Sequence, residues 1–167
     1  MTLRIEDELR DAIEMLARRE RVSVNFTANR ALKRYVEWDT AENSRGYVSV
    51  PSGLVAKMMD SITQEEARQL GRWAATTIFV PNMKRRFSNI SLQALLVELK
   101  TFSKYTGRFS FDHSENAGKH VVLIRQQMGR NWSSFYAGGM ETIFRNLLRK
   151  KVKVKEGPQI STFEFED

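Results

Sequence analysis

Thr2-Leu3-Arg4-Ile5 and the run that follows it, Glu6-Asp7-Glu8-Leu9-Arg10-Asp11-Ala12-Ile13-Glu14-Met15-Leu16-Ala17-Arg18-Arg19, decide how the first forty residues are read. The first four residues alternate polar and apolar, so on a strand Leu3 and Ile5 face one way while Thr2 and Arg4 face the other. Glu6, Asp7 and Glu8 then place negative charge at the positive end of a helix dipole, and Leu9, Ile13, Leu16 and Ala17 recur at helical spacing. Past Arg21 the chain turns through Val22 and Ser23. Ser23 or Asn25 is expected to cap a second helix that carries Phe26, Ala28, Leu32, Tyr35 and Val36 on one side and closes near Trp38.

A strand this short cannot pair with itself, and a core of about 40 residues is marginal without a metal, disulfides or another chain. The sequence has no cysteine, so a second copy is the economical partner. Two copies of residues 2–5 lying antiparallel make a two-stranded ribbon, with four helices burying Leu3, Ile5 and the helical stripes beneath it. Such a ribbon fits the major groove of DNA, where outward side chains reach base edges and one arginine can contact guanine O6 and N7 together. The plainer alternative is a helical hairpin used only for dimerisation.

Residues 1–39 resemble the ribbon-helix-helix family of prokaryotic DNA-binding proteins, the class of the Arc and MetJ repressors. The resemblance rests on T-L-R-I, E-D-E-L-R-D-A-I-E-M-L-A-R-R and V-S-V-N-F-T-A-N-R-A-L-K-R-Y. It implies a homodimer whose outward strand residues, here Thr2 and Arg4, read bases. It also implies a phosphate clamp from the backbone N–H groups of Ser23, Val24 and Asn25 at the start of the second helix, which Arg19 and Arg21 are placed to help. Strands of the family usually offer three outward positions, and this chain has two.

With 167 residues, 41% hydrophobic and 28% charged, the chain has the composition of a globular protein with room for one medium or two small domains. No run approaches the ~18 apolar residues that a membrane span needs, and the acidic start is unlike a signal peptide. Together with the lack of cysteine this leads to the expectation of a cytoplasmic, nucleoid-associated protein with no membrane partner. The net charge of +7 points to an anionic partner. Residues 1–40 nevertheless hold eight Lys or Arg against eight Asp or Glu, so the excess lies downstream, +3 in residues 41–100 and +4 in 101–167.

Residues 41–46 are polar and end in glycine, which reads as a linker to a C-terminal domain at 47–167. Residues 47–50 are expected to form a short strand and Pro51 or Ser52 to open a helix. Thr63 with Glu66 forms a capping box leading a helix to about Phe79, which Pro81 should stop. Lys84-Arg85-Arg86 is placed in a loop, Ser88 or Asn89 caps a helix over 92–105 with an apolar stripe of Leu92, Leu95, Leu96, Leu99 and Phe102, and Gly107 ends it. The period then becomes two: strands at 109–111 and 121–124 joined by a turn over 113–119, then Asn131 capping a helix from Trp132 to about Arg149, and strands at 151–155 and 161–165 joined at Gly157-Pro158. The order implies an α+β module with helices on one face of an antiparallel sheet. No internal repeat is apparent.

Several clusters carry candidate chemistry. Lys84, Arg85 and Arg86 offer a phosphate site or a solvated loop. Lys151, Lys153 and Lys155 alternate with Val152 and Val154, so they form a row that lies along a DNA backbone or protects an exposed strand. The two histidines, His113 and His120, sit among turn residues and match no zinc spacing. Gly138-Gly139 after Trp132, Phe135 and Tyr136 marks either a place where another backbone or a small molecule approaches closely, the latter an effector site walled by the aromatics, or a kink or tight packing onto the sheet. Nothing resembles a phosphate loop or a catalytic motif, so neither an enzyme nor a cofactor is expected. The reading is a sequence-specific transcriptional regulator that binds double-stranded DNA as a homodimer and in which the C-terminal domain adds higher oligomer contacts or responds to a small-molecule or protein effector. A non-specific nucleoid protein using the basic C-terminal residues, or an antitoxin-like interaction module, are the alternatives.

Overall fold

The computed structural model describes residues 4–40 and 47–166, and the chain divides into two compact units, Met1–Tyr47 and Val48–Asp167. Its class is α+β, with all four strands of the described residues in the second unit.

The first unit is a helical hairpin. Helix α1, Asp7–Glu20, begins on acidic residues and ends where Arg21 enters the left-handed region at φ 56°, its N–H turning back to the carbonyl of Arg18 while that of Val22 reaches Ala17. Ser23, rather than Asn25, caps helix α2, Val24–Arg34, its hydroxyl accepting the Phe26 N–H at 3.1 Å. The helix then widens into a π turn, Tyr35–Asp39, which buries Trp38 against the ring of Tyr47. Ala17, Thr27 and Trp38 are the only buried residues among those described in this unit. The expected ribbon strand falls largely on residues 1–3, which lie outside the described residues, and residues 4–6 form no regular strand.

The second unit opens on residues 48–50; together with Tyr47 before them they form no strand among the described residues, contrary to expectation. Helix α3, Ser52–Asp60, leads through a short turn to α4, Gln64–Ala74. The anticipated capping box is present: Thr63 Oγ1 accepts from the Glu66 N–H at 3.2 Å and the Thr63 N–H donates to Glu66 Oε2 at 2.7 Å. Pro81 does not end the helix. A π turn, Ala75–Phe79, resets the hydrogen-bond ladder just before it, so the proline stands at the start of the next segment, α5, Val80–Arg86, where a missing N–H breaks no bond. Lys84, Arg85 and Arg86 therefore occupy the last turn of a helix rather than a loop. Ser91, not Ser88 or Asn89, caps α6, Leu92–Thr106, by accepting the Ala94 N–H, and Gly107 ends it at φ 63°.

A repeat invisible in the side chains appears in these elements. Ser23 and Thr63, α2 and α4, and the two π turns each lie 40 residues apart (24 against 64, 35 against 75), with matching lengths of 11 and 5 residues.

Strands β1, Ser110–Asn116, and β2, Lys119–Arg125, join through a two-residue turn at Ala117-Gly118, both with positive φ, so His113 belongs to a strand and not to the expected longer turn. Helix α7, Arg130–Asn146, precedes β3, Lys153–Glu156, and β4, Ile160–Glu166, giving the antiparallel order β1-β2-β4-β3. His120, Val122, Ile124, Ser161, Phe163 and Phe165 form the buried face, and Phe144 of α7 packs on Phe165 with 4.4 Å between ring centroids. Asn131 lies inside α7 rather than capping it; its amide donates to the carbonyls of Met59 and Ile62, both at 2.8 Å, tying α7 to the α3–α4 turn.

Candidate nucleic-acid interface

The neutral charge of residues 1–40 resolves into pairs. Arg10 binds Asp7 at 3.1 Å, Arg18 binds Glu14 at 3.4 Å, Arg30 binds Glu20 at 2.6 Å, Lys33 binds Glu37 at 3.5 Å and Arg34 binds Asp39 at 3.4 Å. Among the described residues, Arg4, Arg19 and Arg21 are the cations of this unit without an acidic partner, and all three are exposed. Arg19 and Arg21 flank the turn that leads to Ser23. Thr2 lies outside the described residues.

Ser23, Val24 and Asn25 are exposed at the start of α2, where the leading N–H groups of a helix have no intrahelical acceptor and the dipole is positive. The Ser23 hydroxyl serves the Phe26 N–H, and the Asn25 side chain accepts from Asn29 at 2.9 Å, so the backbone of Val24 and Asn25 is what this end presents to solvent.

The two other basic groups are differently placed. Arg86 is held by Glu98 at 2.7 Å, a carboxylate with 1% side-chain exposure, and Arg85 reaches Asn82 at 3.4 Å, so Lys84 is the member of that triplet directed to solvent alone. Lys151 precedes β3, while Lys153 faces Glu164 across the β3–β4 ladder and Lys155 forms an ion pair with the same carboxylate. That pairing holds Glu164 below the usual carboxylate range, mainly through the Lys155 hydrogen bond. Of the lysine row, Lys155 is thus paired with the protein's own acid, and Lys153 shares the neighbourhood of that one carboxylate.

His113 Nε2 lies 3.0 Å from His120 Nδ1, with the rings 9° from parallel and their centroids 5.3 Å apart. A centroid distance so close to that separation plus the two ring radii makes the rings collinear, each nitrogen aimed at the other. That spacing holds one shared proton, whereas two metal bonds of about 2.0 Å each would need a wider gap. Burial, then the neighbouring His120, lowers the His113 pKa, against an opposing pull from Glu115.

Gly138 and Gly139 do not border an open space. A Cβ on Gly138 would stand 2.2 Å from the Arg68 carbonyl oxygen, and one on Gly71 2.0 Å from that of Phe135, so α4 and α7 meet backbone to backbone. Arg68 continues the junction with ion pairs to Glu141 at 3.0 Å and to Glu156, whose other oxygen accepts from Ser134 at 3.0 Å. Sequence reasoning missed Gly71 because a single glycine inside an otherwise regular helix gives no sign of what lies across from it.

No family model matches the chain, and no curated protein is detectably similar to it. Among the described residues no helix is long and apolar enough to cross a membrane.

Proposed function

We propose that the chain is a sequence-specific DNA-binding transcriptional regulator that dimerises through residues 1–40 in a ribbon-helix-helix arrangement. The observation that carries this reading is the distribution of charge in the first unit: among the described residues the acids pair with the cations other than Arg4, Arg19 and Arg21, the arginines that the resemblance assigns to bases and phosphates. Arg4 with Thr2 contacts base edges, while Arg19, Arg21 and the backbone at Ser23, Val24 and Asn25 hold phosphates. The protein is then cytoplasmic and associated with the nucleoid, and the second unit supplies further oligomer contacts or an effector surface.

The dimer has its own support in the internal repeat. Thr27, Ala31 and Tyr35 of the first hairpin stand 40 residues before Ala67, Gly71 and Ala75 of the second. In the second hairpin that face is covered by α7 and all three residues are buried. In the first hairpin Ala31 and Tyr35 are exposed, as are Phe26, Leu32 and Val36. A helix from a second copy fills the place that α7 takes on the other hairpin.

Sedimentation of the full chain beside Leu32→Glu/Tyr35→Glu, with DNA binding measured on the same samples, tests the reading. The wild type is expected to be a dimer and the variant a monomer that has lost DNA affinity. A wild-type monomer that binds DNA, or a variant that keeps full affinity, would overturn it.

A further inference from the structure

The second hairpin carries an exposed apolar surface of its own, ahead of and along α3. Val48 is 72% exposed, Val50 is exposed, and Leu54 and Met58 sit one turn apart on the solvent side of the helix while Val55 and Met59 point inward. The backbone of residues 48–50 enters no ladder among the described residues. Val50 precedes Pro51, which holds it in the extended region and, lacking an N–H, closes any ladder at that point. An uncharged, β-branched segment with unpaired backbone groups is a template for strand pairing.

We propose that residues 48–50, with Leu54 and Met58 beside them, form a second self-docking surface on which the same segment of a second copy lies antiparallel. The inference rests on the dimer proposed above. Three observations select a second copy as the occupant. First, the segment stands ahead of the leading helix of the second hairpin, separated from it by Pro51, as residues 4–6 stand ahead of the leading helix of the first. Second, Val48 follows immediately on Tyr47, whose ring stacks on Trp38 inside the first unit with 6.4 Å between centroids. Dimerising the first unit therefore carries two copies of 48–50 into one particle on a minimal tether, at an effective concentration near the mM range. Third, Val48, Ser49 and Val50 bear no charge, so self-pairing brings no like charges together. These side chains offer roughly a few hundred Å², well below the ~800 Å² per partner of an independent dimer. The surface closes because the first unit holds it there.

The absence of native cysteine makes the test direct. An antiparallel pair centred on Ser49 places the two Cα atoms about 4.5–5.5 Å apart, within disulfide range. Full-length Ser49→Cys, oxidised in a glutathione buffer, is expected to form an intermolecular disulfide at least about 10-fold faster than Gln93→Cys, an exposed control on α6. Adding Leu54→Glu/Met58→Glu should return the rate to the control value while sedimentation still reports a dimer. Cross-linking at the control rate in a chain that sediments as a dimer overturns this surface and leaves the first-unit dimer standing. An unchanged rate in Leu54→Glu/Met58→Glu removes the helical stripe from it. A chain that sediments as a monomer overturns both.

Discussion

Gly71 of α4 and Phe135 of α7 bring two helix backbones into contact: a Cβ at position 71 would lie 2.0 Å from the Phe135 carbonyl oxygen. Nothing flexible stands between them that might yield. Gly71→Ala must push the helices apart and open the junction that Arg68, Glu141 and Glu156 complete, and should cost at least about 3 kcal/mol. Gly53→Ala is the matched control, since nothing lies within 4 Å of a Cβ there, and it should gain about 0.5–1 kcal/mol from helix propensity. Urea denaturation of the two variants reads both values; equal effects would deny the backbone contact.

Arg21 separates fold from function. It holds the left-handed position that ends α1 at φ 56°, a conformation that costs a non-glycine residue about 1 kcal/mol. Arg21→Gly should therefore unfold at the same temperature or higher while binding DNA more weakly, with the slope of log affinity against log salt reduced by about one phosphate contact. Loss of stability together with affinity would make the residue structural.

Arg86 and Lys84, neighbours in the last turn of α5, should behave oppositely to a reading that treats the basic triplet as one patch. Arg86→Ala strips a partner from the buried Glu98 carboxylate and should cost about 2 kcal/mol. Lys84→Ala, at an exposed position, should stay within about 0.5 kcal/mol of wild type. Thermal denaturation distinguishes the two.

The His113–His120 pair couples the β1–β2 hairpin to pH. The pKa of His113 is lower folded than unfolded, so the unfolded chain binds protons first as acid is added. The contribution is fully present above the unfolded histidine pKa and is lost as the pH falls through the folded one. The melting temperature should fall between pH 7.5 and about 5, above the range where most carboxylates titrate, and His113→Gln should flatten that fall. A variant with an unchanged pH profile would remove the pair as its cause.

Much of this architecture was legible in the sequence, and the departures share a cause. Patterns local to one element, such as the Thr63–Glu66 box, the α6 stripe and the Gly107 stop, are written in neighbouring residues and appear where expected. Features that depend on a distant partner are not. Pro81 continues a helix because of the π turn before it, and Gly138-Gly139 serves α4, more than sixty residues earlier in the chain. Val121 and Leu123 lie on the opposite face of β2 from His120 and Val122, yet the apolar run around them does not say which face meets α7. The 40-residue repeat is hidden because only element lengths and caps recur, while the side chains of the two hairpins differ: α7 covers Ala67, Gly71 and Ala75, whereas Ala31 and Tyr35 are exposed. At the candidate interface, residue types alone could nominate Arg4, Arg19 and Arg21 but not show that Arg10, Arg18, Arg30, Lys33 and Arg34 are paired with acids.

Selection of bound duplexes from a random library, with wild type beside Arg4→Ala at two salt concentrations, tests the central claim most directly. The account predicts a motif of two related half-sites for the wild type, and for Arg4→Ala the loss of that preference by about 1–3 kcal/mol at the contacted base with the dimer intact. A motif unchanged in Arg4→Ala, or binding with no motif at all, would contradict it.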